Sequence, residues 1–369
     1  MNVPLLDLKL QYDLVLTDIK TAIEKVFESH RYILGPQVKE FEKDMQKYCE
    51  VNHAVGCASG TDALVLALKA LEIQEDDEVI TTTFTFFATA GSISRVGAKP
   101  VFVDIKPDTF NIDPQKIENA ITTKTKAIIV VHLFGQPAEM DKIMEIARKY
   151  NLKVIEDNAQ GIGAKFDGKV AGTIGDIGTL SFFPSKNLGA MGDAGMCLTN
   201  SDELAARLMQ LRVHGENPQY FHKWVGLNSR LDTIQAAILK VKLPHLENWS
   251  DARRKNAQYY YNNLNDVSQI KLPFIHEKAT SIYNQFTLIA ENRDGLLEHL
   301  RKNEIGCAVY YPKPLHVQEC FSKLGYKKGD MPIAETISQK VISIPIFSEI
   351  TPEQQDYVIE TIKKFYAQG

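Results

Sequence analysis

Between residues 54 and 200, short apolar runs alternate with stretches in which apolar residues recur every three or four positions. AVGCA gives way to GTDALVLALKAL, where Ala63, Leu64, Ala67, Leu68 and Leu71 share one helical face. EVITT precedes FATAGSISRV, KPVFVDI precedes DPQKIENAI with Pro114 near its first turn, KAIIVVHLF precedes AEMDKIMEIARKY, and LKVIEDNAQ follows. Strands apolar on both faces and separated by helices predict a mainly parallel sheet covered on both sides, a three-layer α/β/α domain. Ligands of such sheets bind where strand carboxyl ends meet loops and helix N-termini.

The texture changes after residue 230. LDTIQAAILKVKL and HLENWSDARRKNAQYYYNNL predict helix on either side of Pro244, which bends or interrupts it. SIYNQFTLIA and CAVYY predict strands, and GLLEHLRKN and PEQQDYVIETIKKFYAQ predict helices. The expected division is an N-terminal segment and large α/β domain over residues 1–245, then a smaller C-terminal α+β domain over 246–369.

Composition narrows the function classes. The 369 residues are 44% hydrophobic and 24% charged, as in ordinary globular enzymes. A net charge of -4 supplies no basic field for nucleic acid or an anionic membrane. Cys49, Cys57, Cys197, Cys307 and Cys320 are odd in number and form no C-x-x-C pair, which argues against a disulfide framework or zinc cluster and for a reducing cytoplasm. MNVPLLDLKLQYD does not read as a signal peptide, and no uncharged run is long enough to span a bilayer. The nine histidines show no metal-ligand spacing, so no metal is expected.

Two nucleotide-binding patterns fail on inspection. Gly163 to Lys169 nearly matches a phosphate-cradling loop, but Val170 replaces the hydroxyl residue that would hold magnesium, and the segment predicts a hairpin. No G-x-G-x-x-G opens a helix after a strand.

The strand ends carry the remaining chemistry. Lys186, in LSFFPSKNLGAMGDAG, is either a solvated lysine or an amine held at a strand end to condense with a carbonyl. Asp157 closes LKVIED as a turn cap or as an anion that keeps a heteroaromatic nitrogen protonated, and Gln160 reaches the same ligand. Gly60 and Thr61 open a helix after AVGCAS, where free N–H groups and the dipole serve an N-cap or a phosphate. Ser181 offers a further hydroxyl, and Phe86 is core or a ring that stacks on a flat ligand. Together these predict a phosphate nest, a stacking ring, a carboxylate and an amine at consecutive strand ends, which are the needs of pyridoxal 5′-phosphate.

YILGPQVKEFE, GTDAL, FTFFATA, IEDNAQGIGA, SFFPSKNLGAMGDAG and VGLNSRLDTIQAAIL, in this order, resemble the DegT/StrS-type nucleotide-sugar aminotransferases along nearly the whole chain. The resemblance implies the type I fold of pyridoxal-phosphate enzymes, with Lys186 as the Schiff-base lysine and Asp157 beside the pyridine nitrogen. It further places Gln160 at the phenolic edge, Phe86 on the ring face, and Gly60, Thr61 and Ser181 on the phosphate. Asn228 from the neighbouring subunit of a homodimer completes that set. Glutamate is the implied amino donor and a nucleotide-linked keto-sugar the acceptor, in a ping-pong cycle.

The lysine segment is most similar to members that aminate C-3 of UDP-linked 3-keto N-acetylhexosamine uronates or dTDP-linked 3-keto-6-deoxyhexoses. C-4 members usually carry a phenylalanine-histidine run there. Arg230, His214, Tyr310 and Tyr311 are expected to touch the sugar or its phosphates, against a packing role at an interface. The alternatives are a C-4 enzyme and a regulatory relative that binds without turnover. A sugar dehydratase of this fold would carry histidine in place of Lys186.

Overall fold

A computed structural model describes residues 1–367. Two helices come first, α1 (Leu8–Ser29) and α2 (Pro36–Cys49). The large unit then runs β1 (His53–Cys57), α3 (Gly60–Ala70), β2 (Glu78–Thr82), α4 (Phe87–Arg95), β3 (Lys99–Val103), α5 (Pro114–Ala120), β4 (Thr125–Val131), α6 (Met140–Tyr150) and β5 (Lys153–Asp157). A short hairpin, β6 (Lys165–Phe166) with β7 (Lys169–Val170), precedes β8 (Ile177–Ser181), β9 (Gly195–Thr199) and α7 (Asp202–Leu211). The helices α8 (Thr233–Lys242) and α9 (Leu246–Leu264) flank a single turn containing Pro244. The second unit contains β10 (Ile270–Lys271), β11 (Ala279–Thr280), β12 (Phe286–Ala290), α10 (Arg293–Lys302), α11 (Pro332–Ser338), β13 (Val341–Ile344) and α12 (Pro352–Ala367).

The main sheet has seven strands in the order β1-β9-β8-β5-β4-β2-β3. β8, β5, β4, β2 and β3 run parallel, whereas β9 is antiparallel to both β1 and β8. Alternation along the strands shows why both faces are apolar. Ala127 and Ile129 of β4 join the cluster under α3 and α7, while Ile128 and Val130 join the cluster under α5 and α6. At the other end, Ala54, Leu180, Met196 and Leu198 pack with Phe41 and Met45 of α2 and Leu239 of α8.

A second core collects Tyr260, Phe286, Leu288, Leu300, Ile342 and Ile362 around the small sheet β10-β12-β13. Val3 joins it from the N-terminus, bridging Ile305. In the other direction, β11 pairs with β6 beside the large unit.

Three readings of the chain are revised. CAVYY is not a strand: Ala308 alone bridges Ser343, and the next residues leave the sheet edge so that Tyr311 packs on Phe84. The site-bearing strand ends are not consecutive, because β9 lies between β1 and β8 and β4 lies between β5 and β2. They nonetheless share one edge, since Cys57 and Ser181 both stand opposite Gly195 and Asp157 stands opposite Thr179. The third is an omission: α1, α2, β9, α7, β10, β11, α11 and β13 are absent from the sequence prediction.

Among the described residues no helix is long and apolar enough to cross a membrane, and no cluster of three metal-ligating side chains occurs.

Candidate active site

The phosphate-sized cradle forms where α3 starts. Ser59 caps the helix by accepting from Asp62 N (3.1 Å), which leaves the N–H groups of Gly60 and Thr61 without a protein partner among the described residues. Gly60 is there because β8 ends against it. A Cβ at this position would lie 2.7 Å from Ser181 Cβ, on a strand that cannot retreat. The edge therefore presents two N–H donors, the Ser181 hydroxyl and the positive end of an 11-residue helix at one point.

Asp157 is 5% exposed at the end of β5. Its Oδ2 accepts from Thr89 Oγ1 (2.7 Å) and its Oδ1 from Ala159 N (3.3 Å). Burial pushes its pKa up, and these two hydrogen bonds and the Lys186 charge partly oppose the shift.

Lys186 follows β8 in a tight turn, its N–H donating to Phe183 O (2.8 Å). Burial lowers the Lys186 pKa to about 8, and the Asp157 charge resists that fall. Its Nζ has no hydrogen bond or ion pair among the described residues. The turn itself is fixed from behind. Lys242 Nζ donates to Gly189 O (2.5 Å), Tyr12 donates to Ala190 O (3.1 Å), and Asn284 donates to Asn187 Oδ1 (2.7 Å). Gly189 admits this geometry because a Cβ there would stand 2.2 Å from Pro184 O.

Gln160 links three segments. Its Oε1 accepts from Phe134 N (2.7 Å) and its Nε2 donates to the Tyr311 hydroxyl (3.2 Å). The Tyr311 ring packs near Phe84 and Phe86, at centroid distances of 6.1 and 6.4 Å. Phe86 precedes α4 and is 58% exposed, so it offers a free ring face where a core phenylalanine would be covered. Tyr310 lies beside Tyr311, 5.9 Å between centroids.

Asn228 and Arg230 stand apart from this group. They line a cleft of about 430 Å³ with Ala58, Asp193 and Gln235, where neither Lys186 nor Asp157 appears. His214 is exposed on the neighbouring loop, its N–H donating to Leu227 O (2.9 Å) and its carbonyl accepting from the His222 ring (3.1 Å).

Two contributors escaped the sequence reading. Thr89 is the buried carboxylate's donor, and its signal lies in FTFFATA, where Thr85 and Thr89 fall four residues apart. His132, just past the end of β4, and Glu156, the residue before Asp157 on β5, form a fully buried pair (2.8 Å). Ala138 N donates to His132 Nδ1 (3.2 Å), so the ring proton is on Nε2 and points at Glu156. Burial would raise the Glu156 pKa, but bonds from His132 and the backbone N–H groups of Gly172 and Gly175 bring it below the ordinary value.

The donor set fits a phosphorylated pyridine aldehyde: anion donors, a buried carboxylate, and the amine of a half-buried lysine without a protein partner among the described residues.

Comparison with known proteins agrees with that chemistry. The sequence profile of the DegT/DnrJ/EryC1/StrS aminotransferase family matches residues 15–363. A pleiotropic regulatory protein of Geobacillus stearothermophilus is 50% identical, covering 99% of each chain. A UDP-N-acetyl-3-dehydro-alpha-D-glucosamine 3-aminotransferase of Acidithiobacillus ferrooxidans is 44% identical, covering 98% of this chain and 97% of its own. The crystal structure of S. venezuelae DesV in complex with a ketimine intermediate superposes with a TM-score of 0.97 at 39% identity, covering 99% and 98% of the two chains. NtdA from Bacillus subtilis with bound cofactor PMP gives 0.93 at 34% identity, covering 100% of this chain and 86% of that one.

Proposed function

The chain belongs to the DegT/DnrJ/EryC1/StrS aminotransferase family, and on that premise we propose that it moves the amino group of glutamate to carbon 3 of a nucleotide-linked keto-sugar, with pyridoxal 5′-phosphate as cofactor. One observation carries the reading: on the sheet edge that holds the Gly60–Ser181 cradle, the unpartnered Lys186 amine lies close enough to the buried Asp157 carboxylate for their charges to interact. The cofactor, when bound, supplies an aldehyde that exchanges amino groups and a ring that accepts the electron pair of the broken C–H bond.

The chain's residues do the rest. Gly60 and Thr61 N–H groups and the Ser181 hydroxyl bind the phosphate, and Phe86 covers one ring face. Asp157, held ionised by Thr89, accepts the N–H of the ring nitrogen and keeps it protonated. Gln160 meets the phenolic edge. Lys186 would be the residue that holds the cofactor's aldehyde, and its amine, when free, would serve as the base that moves the proton of the substrate carbon. A pKa near 8 suits both tasks, because a substantial fraction of the amine is neutral at cellular pH.

Asn228 and Arg230 are assigned to the second subunit of a homodimer. The support is that the cleft they line within one chain includes neither Lys186 nor Asp157. Arg230 then meets substrate phosphates, with Tyr310 and Tyr311 on the sugar side, and His214 contributes from the same exposed loop.

The test combines two measurements. Borohydride reduction of holoenzyme followed by digestion should leave the pyridoxyl group on the peptide containing Lys186. A panel of UDP- and dTDP-linked 3-keto and 4-keto sugars, with products located by NMR, should show amination at C-3. Amination confined to 4-keto substrates sinks the regiochemical assignment. Failure of glutamate to change the cofactor absorbance favours the regulatory reading, which the name of the Geobacillus relative keeps in view.

A further inference from the structure

A small cavity adjoins the candidate site on the side of the second unit. It measures about 60 Å³, and its lining includes Ser185, Arg253, Asn284, Gln285, Tyr310 and Ser343. Ser185 precedes Lys186 in sequence and Tyr310 precedes Tyr311, so the cavity shares two segments with the site already described.

Arg253 is the unusual member. It comes from α9 and is only 4% exposed, yet it forms no ion pair among the described residues. Nη1 donates to the carbonyls of Tyr283 (3.2 Å) and Ile346, while Nε and Nη2 have no protein acceptor there. Glu349 supplies a negative charge in the neighbourhood but stays beyond ion-pair distance, its Oε2 accepting instead from Ser348 Oγ (2.6 Å). Burial lowers the guanidinium pKa to about 10, so it remains a cation at neutral pH. A buried guanidinium with two forked donors free is costly unless an anion meets it, and a planar carboxylate matches the fork. The cavity has room for several waters, hence for a carboxylate group.

Two acceptors strengthen the match to an amino acid. Asn284 Oδ1 and Gln285 Oε1 are buried without a partner, and both residues line the same cavity. A ligand bringing a carboxylate for Arg253 and an ammonium for an amide oxygen would satisfy groups of both signs.

We infer that Arg253 is the receptor for a carboxylate of the amino donor, which it holds in the cavity beside Ser185 so that the donor's amine arrives at Lys186. This rests on the reading of Lys186 as the reacting amine. It also separates the two half-reactions at Arg253: Tyr310 borders both the sugar side and this cavity, but the keto group of a nucleotide sugar brings no carboxylate for the guanidinium fork.

The experiment uses holoenzyme, with the two half-reactions followed separately and glutarate, a dicarboxylate without an amine, as a binding probe in calorimetry. Arg253→Met should lower kcat/KM for glutamate by about 30-fold or more, chiefly through KM, while the keto-sugar half-reaction changes by less than about threefold. Glutarate binding should be lost in Arg253→Met and partly kept in Arg253→Lys, which retains the charge without the fork. Equal losses in both half-reactions, or glutarate bound as tightly by Arg253→Met as by the natural chain, overturn the inference. If Arg253→Met folds poorly, Arg253→Lys decides: undiminished glutarate affinity overturns it. Glutarate binding that depends on Arg253 in a protein inert to glutamate would keep the anion site and remove the aminotransferase reading instead.

Discussion

Thr89 Oγ1 donates a 2.7 Å hydrogen bond to Oδ2 of Asp157. A hydroxyl has one proton, so the 3.1 Å contact between Thr85 and Thr89 must run from Thr85 to Thr89. The result is an ordered Thr85–Thr89–Asp157 chain aimed at a carboxylate that burial alone would protonate more easily. Thr89→Val keeps the shape of the helix start and removes the donor. The Asp157 pKa should rise further, moving the acid limb of the kcat/KM profile to higher pH and lowering neutral-pH activity about tenfold. An unmoved acid limb, measured from pH 5 to 9, would separate Thr89 from the charge state of Asp157.

Lys186 is strained electrostatically in the absence of cofactor. Its folded pKa of about 8 lies below the ordinary 10.5, so between those values the unfolded chain binds more protons. Stability of the cofactor-free protein should therefore rise with pH across that window. Lys186→Met should raise stability at pH 7 on the order of 2 kcal/mol, and the gain should disappear above about pH 10.5. The same variant should lose about 10³-fold or more in turnover. Urea titrations at pH 7 and pH 10.5, run beside the assay, check both halves.

Gly60→Ala forces a methyl into Ser181. The methyl would stand 2.7 Å from Ser181 Cβ and 3.3 Å from its Cα, so the start of α3 must shift from the edge. Cofactor affinity should fall by about 10- to 100-fold, as overpacking costs of roughly 1–3 kcal/mol imply. Fluorescence titration with pyridoxal phosphate measures it; unchanged affinity would mean the phosphate binds elsewhere.

Assignment of Asn228 to a partner's site predicts complementation. Lys186→Ala and Asn228→Ala homodimers should each be impaired, and mixing them after mild dissociation should restore about one intact site in each hybrid dimer. Activity that never rises on mixing would place Asn228 and Lys186 on the same site of one chain.

Periodicity was informative wherever an element buries one or two faces by its own spacing. GTDALVLALKAL and AEMDKIMEIARKY are helices because their apolar residues fall on one side, and the apolar runs of β2, β4 and β5 are strands buried on both faces. The hairpin at Lys165 to Val170 likewise follows from local turn chemistry. CAVYY misled because aromatic and β-branched residues suit a strand as well as they suit a site wall. Tyr311 is spent on Gln160 and Phe84, with no ladder to join.

The sequence by itself determined the kinds of groups available and their attachment to strand ends: the amine at Lys186, the carboxylate at Asp157, the free N–H groups at Gly60 and Thr61. Only the tertiary structure decided that these groups share an edge. The reason is that β9 runs antiparallel between β1 and β8, which returns the end of β1 to the end of β8, a pairing between residues far apart in the chain. Burial is equally non-local. The low pKa of Lys186, the Thr89 donor and the unpaired fork of Arg253 arise from neighbours supplied by other elements, so no window of sequence around any of them contains the cause.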